Sequence, residues 1–312
     1  MKLPFLGRGP ESQPLQLYGK LPVAKDYLRI GCGDGSAREL REWLDRTFGT
    51  VREEPLVLSE PLRFLGLADR DPLQGYLWPS TDAGGHRKFP FTLLVERRRK
   101  SLLADLEAGN LTEAEGAWRR LAELRERCMQ AADGQELLAQ QRGTDVTMSE
   151  EERTMGAPAD FDAWLACLWP EESLEGLFEL FARLIALARG GHAGPYRLPL
   201  ARALPHRDQV VAWVHVLRRV GALPRDEVPT LFFPPRSIVP SSEHGSVVVS
   251  AGALRDDQVA WLSIAGGDDD LGPADLAHGV GGDDGAASPA EGERWLRETL
   301  LEVLASYEVR SA

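Results

Sequence analysis

Two apolar runs separated by a single polar turn constrain this chain more than any other feature. Gly75 to Trp78 reads as a strand, and Pro79 to Lys88 is a polar, glycine-containing turn. Phe89, Phe91, Leu93 and Val95 then alternate with Pro90, Thr92, Leu94 and Glu96. A period of two is the signature of a strand, and Pro90, which has no N–H to donate, belongs at its start or on an edge. The two runs predict a β-hairpin with a long loop, and a hairpin requires a sheet to pack in and helices to cover it.

The covering helices are visible on either side. Ser36 to Glu39 has the form of a capping box, and Leu40, Trp43, Leu44 and Phe48 follow at helical spacing up to Gly49. A second capping box, Thr112 to Glu115, opens a helix with Ala114, Ala117, Trp118, Leu121, Leu124 and Cys128 on one side. Further helices are predicted around Leu174–Ile185, stopped by Gly190–Gly191, and from about Asp208 to Val220. Residues 56–67 read as strand or extended chain around Pro61, and short strands are predicted at Thr230–Phe233 and at Gly245–Ser250. Helices alternating with strands argue an α/β fold with a central mixed or antiparallel sheet flanked by helices. The expected domain spans residues 1–265. Residues 266–293, rich in Gly, Asp and Ala and without Lys or Arg, read as a flexible acidic loop. Residues 294–312, with Trp295, Leu296, Leu300, Val303 and Leu304, read as a C-terminal helix packing back on the domain.

Charge narrows the function classes. Of 312 residues, 48 are Asp or Glu and 36 are Lys or Arg, a formal net charge of −12. Such a chain repels phosphate backbones and anionic headgroups, so neither nucleic acid nor a membrane surface is an expected partner. The best basic cluster, Arg97-Arg98-Arg99-Lys100, follows an apolar run and reads as a solvated strand end. No secretion signal and no membrane-spanning run is visible, and the three cysteines, Cys32, Cys128 and Cys167, form no CxxC pair. A reducing cytoplasm fits best.

Catalytic devices are sparse. The chain has no G-x-S-x-G, no P-loop and no HExxH, and its six histidines are scattered. One alternative is specific: Gly31-Cys-Gly33-Asp-Gly35 before a helix looks like the glycine-rich loop of S-adenosylmethionine-dependent methyltransferases. Arg29 stands where that pattern carries an acid, and no second strand ending in a ribose-binding acid follows. A glycine-rich turn leading into a helix accounts for the same residues, and no cofactor is expected.

Two segments carry a family resemblance. Tyr18-Gly-Lys-Leu-Pro-Val-Ala-Lys-Asp-Tyr27 is similar to the N-terminal signature of the TagF/ImpM family of bacterial type VI secretion systems, Y/F-G-K-L-P followed by G-D-F. Ser80, Asp82, Arg87, Phe89 and Pro90 match that family's S-x-D-x-x-G-R-x-F-P-L-T stretch, and Trp43 lies where the family has a Trp-containing helix. Lys25 replaces the usual glycine, Tyr27 the phenylalanine, and one extra residue separates Asp82 from Arg87. The resemblance covers roughly the first hundred residues. It implies a single α/β domain and a non-catalytic accessory protein that regulates, generally represses, type VI secretion post-translationally. The implied partner is the forkhead-associated scaffold protein of the apparatus. Lys20, Asp26, Asp82 and Arg87 lie in the two motif turns, either as a partner surface or as a structural clasp, and the fold is expected to bring Asp26 or Asp82 within salt-bridge reach of Arg87 or Lys20.

Overall fold

The computed structural model describes residues 12–49, 58, 60–67, 70–107, 111–147, 184, 195–200, 206–234 and 245–252. Its frame is an eight-stranded sheet in the order β3-β2-β6-β5-β4-β9-β10-β8. In chain order these strands are β2 (Gln16–Gly19), β3 (Leu28–Ile30), β4 (Leu62–Gly66), β5 (Leu73–Trp78), β6 (Phe91–Glu96), β8 (Tyr196–Leu200), β9 (Thr230–Phe233) and β10 (Gly245–Ser250). Every pairing is antiparallel. A two-stranded ribbon joins β1 (Ser12–Pro14) to β7 (Asp145–Thr147). The helices are α1 (Gly35–Phe48), α2 (Arg99–Glu107), α3 (Thr112–Gln130), α4 (Gly134–Gln141) and α5 (His206–Arg219).

The predicted hairpin is the centre of this sheet. β5 and β6 pair from Leu73 with Glu96 to Trp78 with Phe91, and Pro90 lies just outside β6, where its missing N–H costs no ladder bond. The alternation along β6 does not separate a wet face from a dry one. Phe91, Leu93 and Val95 face the cluster formed with α2, α3 and α5, while Leu94 faces the cluster formed with α1. Both faces are dry because helices lie on both sides. The antiparallel pairing resolves the mixed-or-antiparallel alternative.

Helix α1 buries Leu40, Trp43, Leu44 and Phe48, the stripe its spacing predicts. Its start differs from the predicted capping box. Asp34 holds the N-cap position, and Ser36 is buried inside the first turn, where its Oγ accepts the Asp71 N–H at 3.2 Å. At α3 the N-cap position falls to Leu111, and Glu115, the predicted second half of a box, pairs with Arg63 at 2.7 Å instead. In both cases a tertiary partner outcompetes the local bond.

A further correction concerns Arg97. It is not a solvated strand end: its side chain is 0% exposed and pairs with Asp105 at 3.2 Å. Helix α2, which begins two residues later, folds back over the end of β6 and covers it. The predicted strands at Thr230–Phe233 and Gly245–Ser250 and the helix around residues 208–220 are present as β9, β10 and α5. The predictions for Leu174–Ile185, the acidic loop 266–293 and the helix 294–312 lie outside the described residues, except that Leu184 is helical and buried.

Candidate functional site

The two motif turns meet at the end of β2. Gly19 closes that strand opposite Phe91 with a positive φ of 128°. A Cβ there would run into the Pro90 carbonyl oxygen, so only glycine admits this approach. Lys20 follows directly and enters the interior. The second turn is closed by its own backbone, with the Asp82 N–H donating to the Arg87 carbonyl at 3.2 Å and the Phe89 N–H to the Ser80 carbonyl at 3.0 Å. One bond joins the turns to each other, from the Ala83 N–H to the Ala24 carbonyl at 2.9 Å.

Asp82 sits between two cations. Its Oδ2 lies 3.8 Å from Lys20 Nζ and 3.9 Å from Arg87 Nε. Its Oδ1 accepts the backbone N–H of His86 at 3.2 Å. Burial by itself raises the Asp82 carboxyl, but the bonds from the Arg87 and His86 backbone N–H groups and the Lys20 ammonium outweigh it and hold the group below the ordinary carboxylate range. Exposure separates the two cations: the Lys20 side chain is 1% exposed and that of Arg87 71%. Lys20 Nζ also lies 4.5 Å from the centroid of the Tyr27 ring. Asp26 is exposed and joins none of the salt bridges among the described residues. Three of the four residues singled out by the motifs are therefore assembled, and Asp26 stays apart.

An aromatic group backs the cluster. Tyr27 stacks on Tyr18 at 5.6 Å between centroids, and Phe89 meets Tyr18 and Tyr27 edge-on at 5.8 and 4.8 Å. The Tyr18 hydroxyl donates to Asp45 Oδ1 at 2.6 Å, tying β2 to α1. Tyr27 is 41% exposed, one of two large apolar side chains so open among the described residues; the other is Met129, at 38%.

Beside the cluster runs a groove of about 350 Å³. Phe48, Leu58 and Phe89 supply apolar surface, and Pro22, Pro79 and Pro90 supply rigid backbone. Ser80, Thr81, Lys88, Arg125 and Met129 complete its lining among the described residues. Motif reading picks out the Pro22, Ser80 and Pro90 side of this groove. It misses Arg125 and Met129, which lie on α3 outside either motif and carry no sequence signal beyond helical spacing.

The glycine loop takes a different place from the one the methyltransferase alternative requires. β3, which feeds it, is an edge strand paired antiparallel to β2, whereas that cofactor device leaves the end of an inner parallel strand. Among the described residues, no group of three or more His, Cys, Asp or Glu side chains is placed to hold a metal ion, and no helix is long and apolar enough to cross a membrane.

Comparison with known proteins places this region. Residues 16–141 match the family model of the TagF N-terminal domain, type VI secretion system-associated. Both motif turns, the sheet from β2 to β6 and helices α1 to α4 fall within the match. The resemblance carried by the motifs is thus borne out over those residues. Among solved structures, PA0076 from Pseudomonas aeruginosa PAO1 is similar at 19% identity over 42% of this chain, with a TM-score of 0.29. The match covers 63% of that protein, so this chain spans less than two thirds of its length. No protein of curated function matches the chain.

Proposed function

We propose that this chain, which carries a TagF N-terminal domain over residues 16–141, is a non-catalytic cytoplasmic regulator that represses type VI secretion by binding a component of the apparatus, the forkhead-associated scaffold protein. The observation that carries the reading is the contrast in exposure within one charge cluster. Lys20 and Asp82 are buried and hold the two turns together, while Arg87 and Tyr27 stand out from that base into solvent. Arginine and tyrosine on a rigid support are the side chains that most often anchor protein interfaces. The support limits the entropy lost when a partner docks.

The test is capture of the purified scaffold by the full chain and by Arg87→Ala and Tyr27→Ala, with a thermal melt of each. Arg87→Ala is expected to melt like the wild type and Tyr27→Ala, which loses its stacking on Tyr18, to melt lower while still folding, and both are expected to lose scaffold capture. Capture unchanged in both variants would remove this face as the binding surface.

A further inference from the structure

We infer that the groove beside the charge cluster binds an extended, acidic segment of the partner protein, one that alternates apolar side chains with carboxylates. The inference rests on the reading that this face binds a protein, and it adds the chemistry of what is bound. Charge is the first argument. The chain as a whole carries 48 acidic residues against 36 basic ones. The groove inverts that balance: among the described residues Lys88 and Arg125 line it and no carboxylate does. Arg87, whose side chain is 71% exposed, precedes Lys88 and extends the positive potential toward the cluster. A positive cleft on a negative molecule draws an acidic segment and turns away a basic one.

The state of Arg125 is the second argument. Its guanidinium carbon lies over the Trp78 ring at 5.4 Å from the centroid. Nη1 donates to Glu126 Oε1 at 2.8 Å. Nε is buried and has no hydrogen-bond partner among the described residues. Glu126 engages one nitrogen of the fork, and donor capacity remains for a carboxylate.

Shape is the third. Phe48, Leu58 and Met129 offer apolar surface to aliphatic side chains, and Met129 is 38% exposed despite its size. A thioether adapts to different apolar partners. Proline at positions 22, 79 and 90 fixes the backbone on the other side, so the groove is formed before anything enters it. A groove with apolar surface and cations along it suits an extended chain whose alternate side chains point in and out.

The experiment is fluorescence anisotropy with a fluorescein-labelled peptide of Leu-Glu-Ser repeats, a Leu-Lys-Ser counterpart and a Ser-Glu-Ser control, each added to the full chain. The Leu-Glu-Ser peptide is expected to bind, to weaken as salt rises, and to exceed both others by about tenfold. Lys88→Glu is expected to abolish that binding and to favour the Leu-Lys-Ser peptide, and Arg125→Gln to weaken it with an unchanged melt. Leu-Lys-Ser binding as tight as Leu-Glu-Ser, no binding of either, or indifference to Lys88→Glu would overturn the inference. Scaffold captured equally by wild type and Lys88→Glu, with no peptide bound, overturns the groove alone and leaves the regulatory reading standing. Peptide binding that follows the charge rule, with no scaffold captured, supports the groove and removes the scaffold as partner.

Discussion

Arg97 and Lys20 are both cations taken out of water by the same sheet, and they are held in opposite ways. The Arg97 side chain is 0% exposed and its two terminal nitrogens sit in a hydrogen-bonded network. Nη1 donates to Gln74 Oε1 at 2.8 Å, Nη2 to Asp105 Oδ2 at 3.2 Å, and Gln74 Nε2 passes the chain on to the Ala114 carbonyl at 2.6 Å. That network ties β5 and β6 to α2 and α3. Arg63 repeats the pattern nearby, with Glu115 at 2.7 Å, the Tyr76 hydroxyl at 2.8 Å and the Trp118 ring at 5.3 Å. Lys20 is just as buried, but Asp82 is 3.8 Å away and Nζ makes no hydrogen bond among the described residues. A guanidinium fork locks several elements in one geometry, whereas a compact ammonium attracts without prescribing direction. The α3 side of the sheet is therefore welded. The motif turns are held by electrostatic attraction, backbone bonds and a ring face.

Removal of Arg97 is expected to have the largest effect on stability. Arg97→Met strands the Gln74 carbonyl and the Asp105 carboxylate, and it is expected to cost about 3 kcal/mol in urea unfolding. A loss comparable to that of Lys20→Met would mean the two sites are alike.

Asp82 comes next. Asp82→Ala leaves Lys20 buried without its counter-charge and is expected to lower the melting temperature more than Lys20→Met does. Lys20→Met leaves Asp82 its backbone bonds and Arg87, and its effect is expected within about 1 kcal/mol. The reverse order would show that the ammonium, and not the carboxylate, organises the turns.

Acid titrates the same carboxylate. Folded Asp82 releases its proton more readily than an unfolded carboxyl does. Its contribution is complete above the unfolded value of about 4 and is lost as pH falls through the lower folded value. Between about pH 5 and pH 2 the wild type is expected to lose more stability than Asp82→Asn, measured by urea midpoints across that window. Equal losses would mean that Asp82 contributes nothing to the acid limb.

The smallest expected effect on stability is that of Arg87→Ala, within about 0.5 kcal/mol, because its side chain is mostly in water. Its effect on scaffold capture is expected to be the largest of the set. A large loss in the melt would move Arg87 from the docking surface into the clasp.

The sequence alone determined what periodicity and local chemistry can encode. The β5–β6 hairpin, the apolar stripe of α1 and the α5 helix were legible because each repeats an apolar residue at a characteristic spacing over enough chain. The motif turns were legible through the family resemblance of Tyr18 to Tyr27 and of Ser80 to Pro90, and what Gly19 does there was not. The three-residue strands β1, β3 and β7 and the short helices α2 and α4 carry too few periods to declare themselves. Only the tertiary structure decided that β6 is buried on both faces, that Ser36 and Glu115 serve distant partners and not caps, and that Arg97 lies under α2. It alone set Lys20 inside and Arg87 outside one cluster, and brought Arg125 and Met129 of α3 to the groove. Those outcomes depend on which elements pack against a residue from elsewhere in the chain, and burial and ion pairing between distant residues leave no period in the sequence.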